Sequence, residues 1–167
     1  MGRELHLRRC ASLLVLKLKI VTLGPQISHH GPSPPLLFDE MFGVNADIIR
    51  ESAPPSLRSI TITFMHHGVW NADFVAKLEA LPSWAALDSA ISEIRALKTL
   101  TCIVDTDGKS DLNAHIKKSN RNVGRMPAYR IADDLAAAGD NRYASVVWKM
   151  LPRMRESGKL RILEIVE

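Results

Sequence analysis

Leu57-Arg58-Ser59-Ile60-Thr61-Ile62 carries an apolar template, Leu-x-x-(Leu/Ile)-x-(Ile/Cys), that returns as Leu97-Lys98-Thr99-Leu100-Thr101-Cys102 and as Leu160-Arg161-Ile162-Leu163-Glu164-Ile165. A looser copy lies earlier, at Val15, Leu18 and Ile20. The first positions, 15, 57, 97 and 160, stand 42, 40 and 63 residues apart. Short alternating segments rich in β-branched residues read as strands, and helical apolar spacing fills the intervals. A strand recurring about every 40 residues, with helix between copies, predicts a stacked strand–helix array. The fold class expected is α/β: a short irregular strand–helix repeat with a small parallel sheet. Helical crossovers are what parallel pairing requires, and they put the helices on one face. Such arrays bind partners more often than they catalyse reactions.

At 167 residues the chain fits one domain, and that length can bury about two thirds of its unfolded surface. A composition 46% hydrophobic and 24% charged excludes global disorder. The net charge of +4 and pI near 9.3 suit an acidic partner or nucleic acid, but so small an excess serves first to keep a surface soluble. Cys10 and Cys102 sit in or beside apolar runs, as small buried hydrophobes, and make no disulfide framework. An intracellular location, cytoplasmic or nuclear, is therefore expected. Arg3, Arg8 and Arg9 precede an apolar stretch as in a signal peptide, yet Lys17 and Lys19 interrupt it. The alternation from Leu14 to Ile20 predicts instead a strand with both lysines on its wet face. His6 stands where a myristoylation motif needs Ser or Thr. No segment approaches the roughly 20 apolar residues of a membrane span.

Three regions follow along the chain. Residues 1–23 hold the N-terminal strand. Residues 24–56 are a proline-rich loop, with Pro25, Pro32, Pro34, Pro35, Pro54 and Pro55 around a short helix over Leu37–Arg50. Residues 57–167 are the strand–helix repeat-like region. Within it Asn71 or Asp73 caps a helix with Phe74, Val75, Leu78 and Leu81 inward, which Pro82 ends. Ser83 caps the next, whose Trp84, Leu87, Ile91 and Ile94 are expected against Leu100 and Cys102. Residues 105–127 form a basic insertion with Lys109, Lys117, Lys118, Arg121 and Arg125; removing roughly 20 residues would return the long spacing to the period. Tyr129–Ala138 is Ala-rich and predicted helical, stopped by Gly139. Asn141 caps a last helix with Tyr143, Val146, Val147, Met150 and Met154 inward, which Pro152 kinks or splits. Gly158 then releases the chain into a strand over Leu160–Val166.

The most enzyme-like feature is Asp105-Thr106-Asp107-Gly108 after a hydrophobic strand. It resembles the first motif of haloacid-dehalogenase-type phosphohydrolases, which would make Asp105 the nucleophile and Asp107 the acid/base. Lys109 replaces that motif's Thr, however, and only 62 residues follow Asp105, too few for the rest of such a fold. The physical reading is a polar turn leaving a strand. Counted as a calcium loop, Gly falls fourth and Ile116 twelfth, so that pattern fails. His29-His30 and His66-His67 would each offer one ligand from an extended strand, and no Cys or carboxylate stands at ligand spacing. Trp84 and Trp148 lie beside helical apolar stripes, as core residues; with Trp70 they complete the tryptophans. No phosphate-cradling glycine loop and no Gly-x-Ser-x-Gly elbow are present. Neither metal nor cofactor is expected.

Leu57–Phe64, then Trp84-Ala85-Ala86-Leu87-Asp88 with Leu97–Leu100, then Leu151-Pro152-Arg153-Met154-Arg155 and Gly158–Leu163 recur in an order that resembles the C-terminal part of F-box proteins of mushroom-forming fungi. The likeness spans roughly residues 50–167. It implies a leucine-rich-repeat-like region that recruits targets for a ubiquitin ligase. The F-box itself, an N-terminal helical segment opening with Leu-Pro and an acidic residue, has no counterpart in residues 1–56. The function expected is a non-enzymatic protein-interaction domain, with Asp105 and Asp107 as the only catalytic candidates. Binding is expected at the strand edge or at loops leaving the strands, with Lys109, Lys117, Lys118, Arg121 and Arg125 as candidate binding residues. The expected partner is a protein and not a membrane. The alternatives are the phosphohydrolase and a basic nucleic-acid-binding module, the latter disfavoured because no aromatic residue lies among those charges to stack on bases.

Overall fold

The computed structural model describes residues 12–23, 34–67, 72–105, 128–133 and 142–166. Its strands are β1 (Val15–Leu23), β2 (Ser59–His67), β3 (Thr99–Asp105), β4 (Ala128–Ile131) and β5 (Leu160–Val166). Its helices are α1 (Pro34–Ser52), α2 (Ala72–Glu79), α3 (Ser83–Ser92), α4 (Arg142–Met150) and α5 (Pro152–Glu156). The five strands make one sheet in the order β1-β2-β3-β5-β4. The four strands anticipated from sequence are parallel to their neighbours; β4 joins the far edge antiparallel to β5.

Pairing register corrects two copies of the template. Leu16, Ile60, Leu100 and Leu160 are aligned across the sheet, as are Leu18, Ile62, Cys102 and Ile162. The β2 and β3 copies are therefore equivalent, 40 residues apart, but the β1 copy begins at Leu13 and not at Val15. In β5 the equivalents of Ile60 and Ile62 are Leu160 and Ile162, while Leu163 faces the other way. A one-residue change in parity moves a strand side chain to the opposite face, and letters alone do not fix that parity. The approaches to the strands repeat as well. Leu57 N–H donates to Pro54 O (3.0 Å) and Leu97 N–H to Ile94 O (3.1 Å), and both leucines are buried. Leu14 O accepts from Arg58 and Ser59 N–H, and Arg58 O accepts from Lys98 and Thr99 N–H.

The core joins the helices to the even-numbered strand residues, Leu16 and Ile20, Ile60 to Phe64, Leu100 to Val104, and Leu160 and Ile162. Phe42 of α1, Phe64 of β2 and Trp84 of α3 stack at its centre, with the Phe42–Trp84 centroids 4.2 Å apart and Tyr143 of α4 edge-on to Phe64. Trp84 Nε1 donates to Leu78 O at 2.9 Å, so this buried indole is satisfied. Leu87 and Ile91 share that core with Leu100 and Cys102, and Ile94 packs at its border.

Helix ends show where local patterns were insufficient. Helix α1 is longer than the expected Leu37–Arg50, because Pro34 and Pro35 occupy its first turn, where a missing N–H costs nothing. Ser83 is not a cap: Pro82 holds that position, and the Ser83 N–H donates to Asp39 Oδ1 of α1 at 3.1 Å. Helix α5 starts at Pro152, as expected of a split, and its next two N–H groups, on Arg153 and Met154, donate to the buried Asp88 carboxylate at 3.0 and 3.2 Å. A carboxylate from a neighbouring helix thus does the work of an N-cap. Helix α5 ends in a Schellman turn, with Lys159 N–H to Met154 O, Gly158 N–H to Arg155 O, and Gly158 at φ +68°.

The helix expected over Tyr129–Ala138 is contradicted at its start, where Ala128–Ile131 is strand β4. Of the alanines that carried the helical signal, Ala132 follows the strand and is buried, and Ala136, Ala137 and Ala138 lie outside the described residues. What fixes β4 is tertiary: Arg130 opposes Glu164 in register and pairs with its carboxylate. Asp133 accepts from Ile162 N–H at 2.6 Å and pairs with Arg161 at 3.4 Å.

Candidate functional site

Asp105 is the last residue of β3, in register with Met65 of β2. Asp107 and all five basic candidates, Lys109, Lys117, Lys118, Arg121 and Arg125, lie outside the described residues. Among the described strands the parallel order runs consecutively, β1-β2-β3-β5. A doubly wound sheet opens its ligand crevice where strand order reverses and crossover helices part to opposite faces. Here the helices share one core with one face of the sheet, so these strands make no such crevice.

The interior acids are occupied with structure. Asp39 and Asp88 serve helix N–H groups, Asp133 serves a strand N–H, and Glu164 is balanced by Arg130. Burial, reinforced by the nearby Asp133 carboxylate, pushes the Cys102 thiol far above its ordinary range, which leaves it a hydrophobe and not a nucleophile. No group of three potential ligands among the described residues could hold a metal ion. No helix among them is long and apolar enough to cross a membrane. An open cleft of about 610 Å³ lies between the C-terminal ends of α1 and α3, floored by Ile49, Ala53, Pro54 and Ala90. Of its rim groups, Arg50 pairs with Asp47 and Glu93 accepts from Ser89 Oγ, each at 2.9 Å.

The feature that stands apart is the other face of the sheet. Its odd-numbered residues are absent from the core cluster, although Met65, near the C-terminal end of β2, is itself buried. Register arranges them in rows across the strands. One row is Lys17, Thr61, Thr101 and Arg161; the next is Lys19, Thr63, Ile103, Leu163 and Ile131. Ser59 and Thr99 stand beside the first row. Lys17 and Lys19 are exposed, the threonines are half-buried, and Ile131 is 68% exposed. The Arg161 guanidinium is paired with Asp133, whereas Lys17 and Lys19 have no ion pair among the described residues. Along the second row the face thus changes from an ammonium group on β1, through a hydroxyl on β2, to aliphatic groups on β3, β5 and β4, while the first row keeps Thr101 on β3 and Arg161 on β5.

The lysines of this face were legible from alternation in β1. The threonines were not singled out, although Ser59-Ile60-Thr61-Ile62-Thr63 and Thr99-Leu100-Thr101-Cys102 already show the period-2 signal that places them opposite the core. No family model, no curated protein and no solved structure matches this chain.

Proposed function

We propose that this chain is a non-enzymatic protein-interaction domain that receives its target on the open face of the sheet. One observation carries the reading: a largely parallel sheet whose helix-built core, among the described residues, lies against one face. Parallel strands are ordinarily covered on both faces and read as continuous apolar runs. Here β2 and β3 alternate, with Ser59, Thr61, Thr63, Thr99 and Thr101 turned away from the core. A rigid scaffold with a wet, side-chain-rich face suits recognition of another protein surface. The strand–helix period and the sequence resemblance to the target-recruiting end of F-box proteins support the same reading, which makes the array leucine-rich-repeat-like in use. Recruitment to a ubiquitin ligase would further require an F-box.

The test is co-purification from an extract of the source organism, comparing the wild type with a Thr63→Arg/Thr101→Arg variant and with Glu51→Arg on the exposed side of α1. A partner retained by the wild type and Glu51→Arg but lost from the face variant supports the reading. A partner insensitive to the face variant, or phosphate release from small phosphoesters with magnesium that Asp105→Asn abolishes, overturns it.

A further inference from the structure

We infer that the open face is built for an amphipathic helix that carries acidic residues along one flank. The inference rests on the face being the interaction surface and adds the chemistry of what it receives.

A segment lying on a sheet face, as opposed to its edge, finds no backbone partners there. Its own N–H and C=O groups must be satisfied internally, which a helix does and an extended chain does not. The apolar patch of the face is Ile103, Leu163, Ile165 and Ile131 on β3, β5 and β4, bordered by Thr101 and Arg161. Three strands at about 4.8 Å spacing offer a strip matching a helix about 10 Å wide. Leu163 and Ile165 are half-buried and Ile131 is the most exposed of the large hydrophobic residues described. An apolar helical stripe would cover all of them.

The charged half sets the flank. Lys17 and Lys19 lie on β1, two strand spacings or about 10 Å from β3, within reach of a long acidic side chain from a helix seated over β3 and β5. Two residues apart on one strand, they are about 6.6 Å from each other, close to the roughly 6 Å rise between i and i+4 of a helix aligned with the strands. Two carboxylates one turn apart therefore meet two ammonium groups. The odd-numbered positions of the described strands hold a single acid, Asp105, against Lys17 and Lys19, the third cation there, Arg161, being paired with Asp133. The chain's own residues 106–127 carry five basic side chains and two acidic ones, Asp107 and Asp111. That sign is wrong for the lysine flank and argues for an occupant from another molecule.

The experiment titrates the full chain against fluorescein-labelled 18-residue synthetic helices by anisotropy at low and high salt. One peptide has a leucine stripe with glutamates at i and i+4 on one flank; a second replaces the glutamates with lysines; a third replaces the leucines with serines. Tight binding is expected for the first alone. It should weaken with salt and fall about tenfold or more in Lys17→Glu/Lys19→Glu, because each like-charge contact replaces an attractive one. It should also fall in Ile131→Asp. Equal binding of the lysine peptide, no binding of any peptide, or binding unchanged in both variants overturns the inference. So does a dimer of this chain that Ile131→Asp dissolves, which would assign the face to a second copy. If the co-purifying partner is lost from Thr63→Arg/Thr101→Arg while no helical peptide binds, the interaction face stands and the helix chemistry falls.

Discussion

The two faces of this sheet are made by the same strands and differ in almost everything else. On the even-numbered face Ile60, Ile62, Phe64, Leu100, Cys102 and Val104 are fully buried against helices. On the odd-numbered face Thr61, Thr63, Thr99 and Thr101 between them are half in water, with Ile103 beside them and Met65 buried at the strand end. Residues one peptide apart thus live under different rules: volume and shape on one side, charge and hydroxyl chemistry on the other. The fully buried apolar residues of these strands gather on the even-numbered face, which therefore carries most of the folding energy.

Substitutions at adjacent positions should separate the two. Phe64→Ala, in the aromatic centre, should cost about 3–5 kcal/mol in urea unfolding followed by circular dichroism, the range for emptying a buried ring site. Thr63→Ala beside it should stay within about 0.5 kcal/mol; equal effects would erase the distinction between the faces. Next in size is Asp88→Ala. It leaves the part-buried N–H of Arg153 and the buried N–H of Met154 without an acceptor, at a cost of about 1–3 kcal/mol. Asp88→Asn, which keeps one acceptor, should recover part of that loss. Smaller again is Gly158→Ala. There is open space around its Cβ direction, so the φ of +68° alone should set a cost of about 1–2 kcal/mol.

What could be read in the sequence divides along the same line. The β2 and β3 copies, from Leu57 and Leu97, and the parallel crossovers between them follow from local alternation and helical spacing. The split at Pro152 and the turn at Gly158 follow from backbone chemistry. What failed required knowing which distant group answers a local one. Asp39 and Asp88 cap helices to which they do not belong, so no capping motif announces them. Tyr129-Arg130-Ile131 is strand because Glu164 awaits Arg130 across the β4–β5 seam. Parity went astray in β1 because Leu13, Leu16 and Leu18 satisfy the template as well as Val15, Leu18 and Ile20 do, and in β5 because Ser157 stands at the template's first position in the true register while Leu160, Leu163 and Ile165 fit it in the wrong one. The candidate surface was half legible: Lys17 and Lys19 showed themselves by alternation, but their alignment with Thr61, Thr63, Ile103 and Leu163 is a product of pairing register.

The central claim, that one face is sealed and the other open, is tested most directly by two thiols on adjacent strands. In a Cys10→Ser background, Thr63→Cys places a thiol on the open face, while the native Cys102 faces the core. Reaction with a charged maleimide, read peptide by peptide by mass spectrometry, should label position 63 within about tenfold of its rate in denaturant. Cys102 should stay protected by a factor of about 1,000 or more until the protein unfolds. A thiol at position 63 as slow as Cys102 would mean that this face is covered in the folded chain, and the account of it as a docking surface would be wrong.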